Sequence, residues 1–149
     1  MTAKELAERY HLTAHPENGS FLERHYENVG EGRAASGSIY YYVAEDERTA
    51  FHRIDCDEYW CYNAGSPLDV WQIDPKGGLT VTRLGTDEGC EPLLYVRTGT
   101  LFASRHGEAY ADGTFLTCIT VPRFRYEGFT MLSREEVLEL CPAAEEFFR

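Results

Sequence analysis

The sequence predicts an all-β fold, a jelly-roll β-sandwich or barrel with a short helix at each end. Three observations carry that expectation. About ten short runs rich in β-branched and aromatic residues follow one another through the middle of the chain, punctuated by Gly, Pro, Asn and Asp. No helix-period segments separate them, so the βαβ alternation of a parallel sheet is missing. Helix-start signals occur only near the two ends.

Taken in order, Thr2 and Glu5 stand at capping-box spacing before Leu6, Ala7 and Tyr10 and predict the first helix. "AHPENGS" ends it, with Pro16 as a breaker and Asn18–Gly19 as turn residues before the first barrel strand. The strand candidates are then "SGSIYYYVA", "TAFHRID", "EYWCYNAG", "LDVWQID", "LTVTRLG", "LLYV", "TLFASR", "EAYA", "TFLTCITV" and "EGFTML". Between the fourth and fifth, Asp74 to Gly78 reads "DPKGG", a hairpin signal in which Gly77 and Gly78 are free to take positive φ. The stretch from Asn28 to Gly37, "NVGEGRAASG", is a loop expected either to lie over the barrel mouth or simply to connect strands. Ser133 and Glu136 form a second capping box ahead of Val137, Leu138 and Leu140, and Pro142 stops or restarts that helix.

At 149 residues and 17.0 kDa, the chain fits one domain, 1–149, able to bury a core without staples. Its net charge of −11 repels nucleic acid and anionic membrane surfaces. No apolar run approaches the roughly 18 residues of a membrane span, and "MTAKELAERY" lacks a signal-peptide core, so a cytoplasmic protein is expected. Five cysteines, an odd number at irregular spacing, suit reduced thiols better than a disulfide framework. Cys56 and Cys61 lack C-x-x-C spacing, and the surrounding acids Asp55, Asp57 and Glu58 would blunt their reactivity.

The chemistry concentrates in "FHRIDCDEYWCYNAG", residues 51 to 65. Side chains two apart on a strand share a face, which sets His52 with Ile54 and, past the turn, Glu58 with Trp60 and Tyr62. If both sets point inward, an imidazole, a carboxylate and two aromatics line one cavity, the mixture of a small-molecule site. The plainer alternative is a satisfied polar pair beside two core aromatics.

His52, Ile54, Glu58 and Gly65 match the frame of the first cupin motif, and "VRTGTLFAS" matches the second, with Arg97 at its proline, Gly99 at its glycine and Phe102 at its histidine. More narrowly, "HPENGSFLE", "GSIYYYV", "FHRIDCDEYW", "AGSPLDVWQIDP", "VRTGTLFA" and "CITVPRFRYEGFTMLSREEVLEL" together make the chain resemble a family of small bacterial and fungal cupins of unknown function. That family shares a jelly roll with deoxysugar epimerase-like proteins, and the resemblance runs from about Leu6 to about Pro142. Relatives often carry Trp-His where this chain has Trp60 and Cys61, and a Val-Pro-Ala-Gly stretch where Arg97 and Thr98 stand.

In metal-binding cupins, the positions of Ile54 and Phe102 are histidines, so the resemblance leaves His52 and Glu58 short of a transition-metal set and implies neither metal nor other cofactor. It implies a metal-independent protein binding a small polar, sugar-like metabolite. Isomerase or epimerase chemistry would have His52 as base, Glu58 or Asp57 as its orienter, and Tyr62, Tyr40 or Tyr42 as acid. Trp60, Tyr40, Tyr42, Phe102 and Arg97 are the candidate ligand-binding residues, Arg97 for a carboxylate or phosphate. The alternatives are a metal-dependent cupin enzyme that recruits Cys61 and a non-catalytic sensor module. The other histidines, His11, His15, His25 and His106, are expected at the surface or in caps. A homodimer is expected because an open sandwich has edges for a partner to cover.

Overall fold

A computed structural model of the chain describes residues 1–26 and 32–149. Helix α1 (Ala3–Arg9) is followed by strands β1 (Thr13–Ala14), β2 (Ser20–Tyr26), β3 (Gly37–Val43), β4 (His52–Arg53), β5 (Asp57–Gly65), β6 (Leu68–Ile73), β7 (Leu79–Leu84), β8 (Leu93–Val96), β9 (Leu101–Arg105) and β10 (Thr114–Val121). A 3-10 turn (Tyr126–Gly128), strand β11 (Thr130–Met131), helix α2 (Arg134–Leu140) and a second 3-10 segment (Pro142–Phe148) complete it. The strands form two antiparallel sheets, ordered β1-β2-β3-β10-β5-β8 and β11-β4-β9-β6-β7. Neighbours far apart in sequence, such as β3 and β10, pair side by side, as a jelly roll requires.

Alternation decides what the sheets enclose. Tyr41, Val43, Trp60, Leu116 and Cys118 of the larger sheet face Val70, Leu84 and Phe102 of the smaller in one buried core. The opposite faces of these strands are covered by the helices. Tyr42 and Phe115, with Tyr40 alongside, pack under Ala3, Ala7 and Leu6 of α1. Phe51, Ile73, Leu101 and Ala103 pack under Val137, Cys141, Ala144 and Phe147 at the C-terminal end.

Both predicted capping boxes form, Thr2 with Glu5 and Ser133 with Glu136. Asp112 adds a second fastening for α1, accepting from the backbone N–H groups of Ala3 at 2.9 Å and Lys4 at 3.2 Å. The Asp74–Gly78 hairpin joins β6 to β7, with Gly77 at φ 85° and the Asp74 carboxylate accepting from the amides of Lys76 and Gly78.

Three local expectations change. "EAYA" (Glu108–Ala111) is not a strand, because the chain between β9 and β10 is spent on turns that bring Asp112 to α1. "SFLERHY" is a strand, held by pairing with β3 across Ser20↔Tyr42 to Tyr26↔Gly37. "TAFHRID" shrinks to His52–Arg53, which pairs on one side with Phe102 and on the other with β11. The loop expected over the barrel mouth lies partly outside the described residues. Within its described part, Arg33 reaches the Asp55 carboxylate and the Arg123 carbonyl, both at 2.6 Å.

Candidate functional site

Between the two sheets, a cavity of about 280 Å³ opens near the β2–β3 end of the barrel. Strand β4 delivers His52 and β5 delivers Glu58, so both side chains converge on it, with Ile54 beside them. The remaining polar lining comes from His15 and Glu17, which precede β2, from Ser38 of β3, and from Cys118 and Thr120 of β10. Phe21, Ile39, Phe124, Tyr126 and Phe129 supply apolar wall, and Glu23 and Arg123 stand at the rim.

The "HPENGS" turn explains how Glu17 arrives there. Asn18 and Gly19 both take positive φ, 76° and 72°, and the turn is tied down by Tyr41, whose hydroxyl donates to the Asn18 carbonyl at 2.7 Å. A Cβ at position 19 would fall 2.6 Å from that hydroxyl, so only glycine permits the approach. The Ala50 amide donates to the Glu17 carbonyl at 2.8 Å, stitching the turn to the chain just before β4. The Glu17 carboxylate is thereby carried to 2.6 Å from Nε2 of His52.

Both nitrogens of His52 are committed. Nδ1 lies 2.8 Å from the Ala50 carbonyl, which can only accept, so Nδ1 carries a proton. Nε2 faces a carboxylate, so it carries one too. Burial alone would lower the His52 pKa, but the charge and hydrogen bonding of Glu17, helped by the Ala50 carbonyl, outweigh it and raise the pKa. Glu17 mirrors this: burial would raise its pKa, and His52 holds it down. Both shifts favour an imidazolium–carboxylate pair. His15 sits beside it as neutral imidazole, its pKa lowered by burial and by His52 against the pull of Glu17. Its Nδ1 accepts from the Glu17 amide at 3.2 Å, which leaves the ring proton on Nε2.

Glu58 stands apart electrically. Burial, and then the charge of Glu17, raise its pKa from the ordinary 4.5 to about 7, against the opposing effects of His52, the Cys118 thiol and the Trp60 indole. Among the described residues it has no basic partner within ion-pair distance. Burial and the Glu58 charge in turn raise the Cys118 pKa well above the usual range. Burial pushes the Cys56 thiol up to about 12, so neither thiol is primed for chemistry.

The other candidates fall elsewhere. Trp60 and Phe102 lie behind the cavity wall rather than on it. Phe102 meets His52 at an interplanar angle of 52° with ring centroids 4.1 Å apart, and Trp60 meets Phe102 and Tyr41. Tyr62 packs at the far end of the core and donates to the Gly65 carbonyl at 2.6 Å. Tyr40 and Tyr42 face α1 on the outside of the sheet, because the inward phase of "YYY" belongs to Tyr41. Asp57 accepts from the Thr98 amide, away from His52. Arg97 is exposed in a shallow groove with Gln72, Asp74 and Lys76. Of the histidines expected at the surface, His15 lines the cavity and His106 is buried, bonded through Nε2 to Thr114 at 2.9 Å.

Residues 4–132 match the family model described as Cupin superfamily (DUF985). The chain belongs to this cupin family. Over 98% of its length it is similar to a solved protein from Shewanella oneidensis, at 27% identity, 94% coverage of that chain and a TM-score of 0.88. A hypothetical protein from Leishmania major aligns over 97% of this chain and 95% of its own, at 28% identity and TM-score 0.83. Oxalate decarboxylase from Bacillus subtilis, at 15% identity and TM-score 0.62, shares the fold over 91% of this chain and 34% of that one. No curated protein matches the chain significantly.

The donor set of this cupin does not fit a metal. Ile54 and Phe102 offer no lone pair, and Glu17 and Ala50 engage both nitrogens of His52. Cys61 pairs across β10 with Thr117, on the face opposite Trp60. Among the described residues, no three His, Cys, Asp or Glu side chains are grouped so as to hold an ion. None of its helices is long and apolar enough to cross a membrane, again among the described residues.

Proposed function

We propose that this cupin binds a small organic molecule in the His52–Glu58 cavity without a metal, and that Glu58 exchanges a proton with it. One observation carries the reading: a buried carboxyl poised near neutral pH opens onto a cavity whose other charges are paired. His52 acts as a fixed positive post rather than as a base, since removing its Nε2 proton would strand the buried Glu17 charge. Glu17 takes the orienting role.

The acid of an isomerase would fall to Tyr126, the tyrosine that lines the cavity, rather than to Tyr62, Tyr40 or Tyr42. A sugar-like ligand finds little support in the lining, where Glu17, His52, Glu23 and Arg123 are spent on one another and Thr120 accepts from the Phe124 amide. Trp60 and Phe102 support binding from behind, by fixing His52 and the inner wall.

Two copies of the chain pair in this proposal through the outer face of the larger sheet near its β8 edge. Tyr95, Tyr59 and Ile119 form one exposed cross-strand row there, flanked by Leu93 and Val121. Free thiols at all five cysteines support a cytoplasmic setting.

The test is elemental analysis of purified protein together with mass spectrometry of whatever leaves the cavity on denaturation. A stoichiometric organic molecule and no transition metal is the expected result. Stoichiometric iron, zinc, manganese or nickel lost on Glu58→Gln would overturn the reading.

A further inference from the structure

Five charged residues line the cavity, and four of them cancel in pairs: Glu17 with His52 at 2.6 Å and Glu23 with Arg123 at 2.8 Å. The fifth, Glu58, is left over. Around it, the walls are aromatic. Phe124, Tyr126 and Phe129 meet one another nearly at right angles, at interplanar angles of 75° to 82° and centroid separations of 5.0 to 6.2 Å. Phe21 joins them through His15, at 4.7 Å. Aromatic rings that share a cavity with a single unbalanced acid attract positive charge twice, through their quadrupoles and through the carboxylate. An anion would meet the same carboxylate and two more at Glu17 and Glu23. The long-range field of a chain with net charge −11 draws cations in the same sense.

We infer that the ligand of this cavity is a small organic ammonium ion with an apolar body, its nitrogen against Glu58 and its body against Phe21, Phe124 and Phe129. This inference rests on the cavity's being a small-molecule site and narrows the ligand to one chemical class.

Proton linkage follows from the placement. The titratable groups facing Glu58 are Glu17 from the β1–β2 turn, Tyr41 from β3, His52 from β4, Cys56 from the turn before β5 and Cys118 from β10. In the folded protein, burial and the Glu58 charge, joined by Glu17 at Cys118 and Tyr41, hold the thiols and the phenol above their ordinary values, and His52 and Glu17 each shift the other toward its ionised form. Glu58, raised to about 7, changes state near neutral pH, and a bound ammonium ion favours its ionised form. With its free pKa at about 7, ammonium affinity should rise about tenfold between pH 6 and pH 8, and binding at pH 6 should release close to one proton.

Benzylamine, benzyl alcohol and benzoate share one body and differ in charge, which makes them suitable probes for isothermal titration calorimetry. The expected result is that benzylamine binds at least tenfold tighter than the other two, with the stated pH trend. Proton release is read on the wild-type protein in buffers of different ionisation enthalpy. Glu58→Gln should abolish both the preference and the release, and the wild-type proton count stands alone if that variant fails to fold. Benzyl alcohol or benzoate binding as tightly as benzylamine would overturn the ammonium assignment while leaving the cavity a binding site. No binding by any of the three at millimolar concentration would overturn both.

Discussion

Replacing Glu58 by Gln removes a titrating proton from the cavity while keeping the side chain's size, and its effect on stability can be worked from the structure. In the folded protein, the carboxyl holds its proton up to about pH 7, against an ordinary value of 4.5. The folded chain therefore binds more protons than the unfolded chain between those limits. The wild type should lose stability across that window, its relative gain complete below pH 4.5 and gone above pH 7. The displacement corresponds to roughly 3 kcal/mol, an upper figure because water entering the cavity would soften it. Glu58→Gln has no carboxylate to ionise, so it should match the wild type near pH 4.5 and exceed its stability by up to about 3 kcal/mol at pH 8. The His52–Glu17 pair is present in both proteins, so the difference between them isolates residue 58. Urea unfolding at half-unit pH steps, extrapolated to water, measures it. A difference that stays flat from pH 4.5 to pH 8 would refute the placement of Glu58 as a buried, uncompensated acid.

Glu17→Gln should destabilise the protein by about 3 kcal/mol near neutral pH, because it removes one half of a buried pair and leaves His52 to give up its proton. The same change should drop the His52 pKa from above 6.5 to below it, read from the imidazole proton shifts by NMR; an unmoved His52 titration would break the pairing argument. In solution, the wild type should scatter light as twice 17.0 kDa, and Tyr59→Lys combined with Ile119→Lys should return it to a single chain. A wild type already monomeric at high concentration would remove the proposed pairing.

What the sequence could and could not disclose divides along physical lines. The cavity pair His52 and Glu58 was legible because strand alternation and the spacing of a known motif act over a few residues. The phase of "YYY" was not, since three consecutive tyrosines give alternation nothing to grip. The pairing Leu116↔Tyr41 set it, with α1 taking the side chains that point the other way. Glu17 escaped notice because its partner is 35 positions away and its own neighbourhood reads as a plain turn. One signal was available: an acid and an imidazole flanking a proline are costly furnishings for a turn that only reverses the chain. The partners of the His52 nitrogens were hidden for the same reason, because motif spacing names residues without naming what those nitrogens contact.

The aromatic wall has a different standing from the rest of the cavity. His52 and Glu58 project from strands and are locked by the sheets, whereas Phe124 and Tyr126 belong to a segment outside both ladders. That segment is moored by surface charge, with Asp55 accepting from Arg125 at 2.9 Å and from Arg33 at 2.6 Å, and Arg33 gripping the Arg123 carbonyl. Under the proposed function, such a division would let selectivity be retailored cheaply. Exchanging a ring on the moored segment would alter which guest is welcome, while the strands that carry His52 and Glu58 keep their shape.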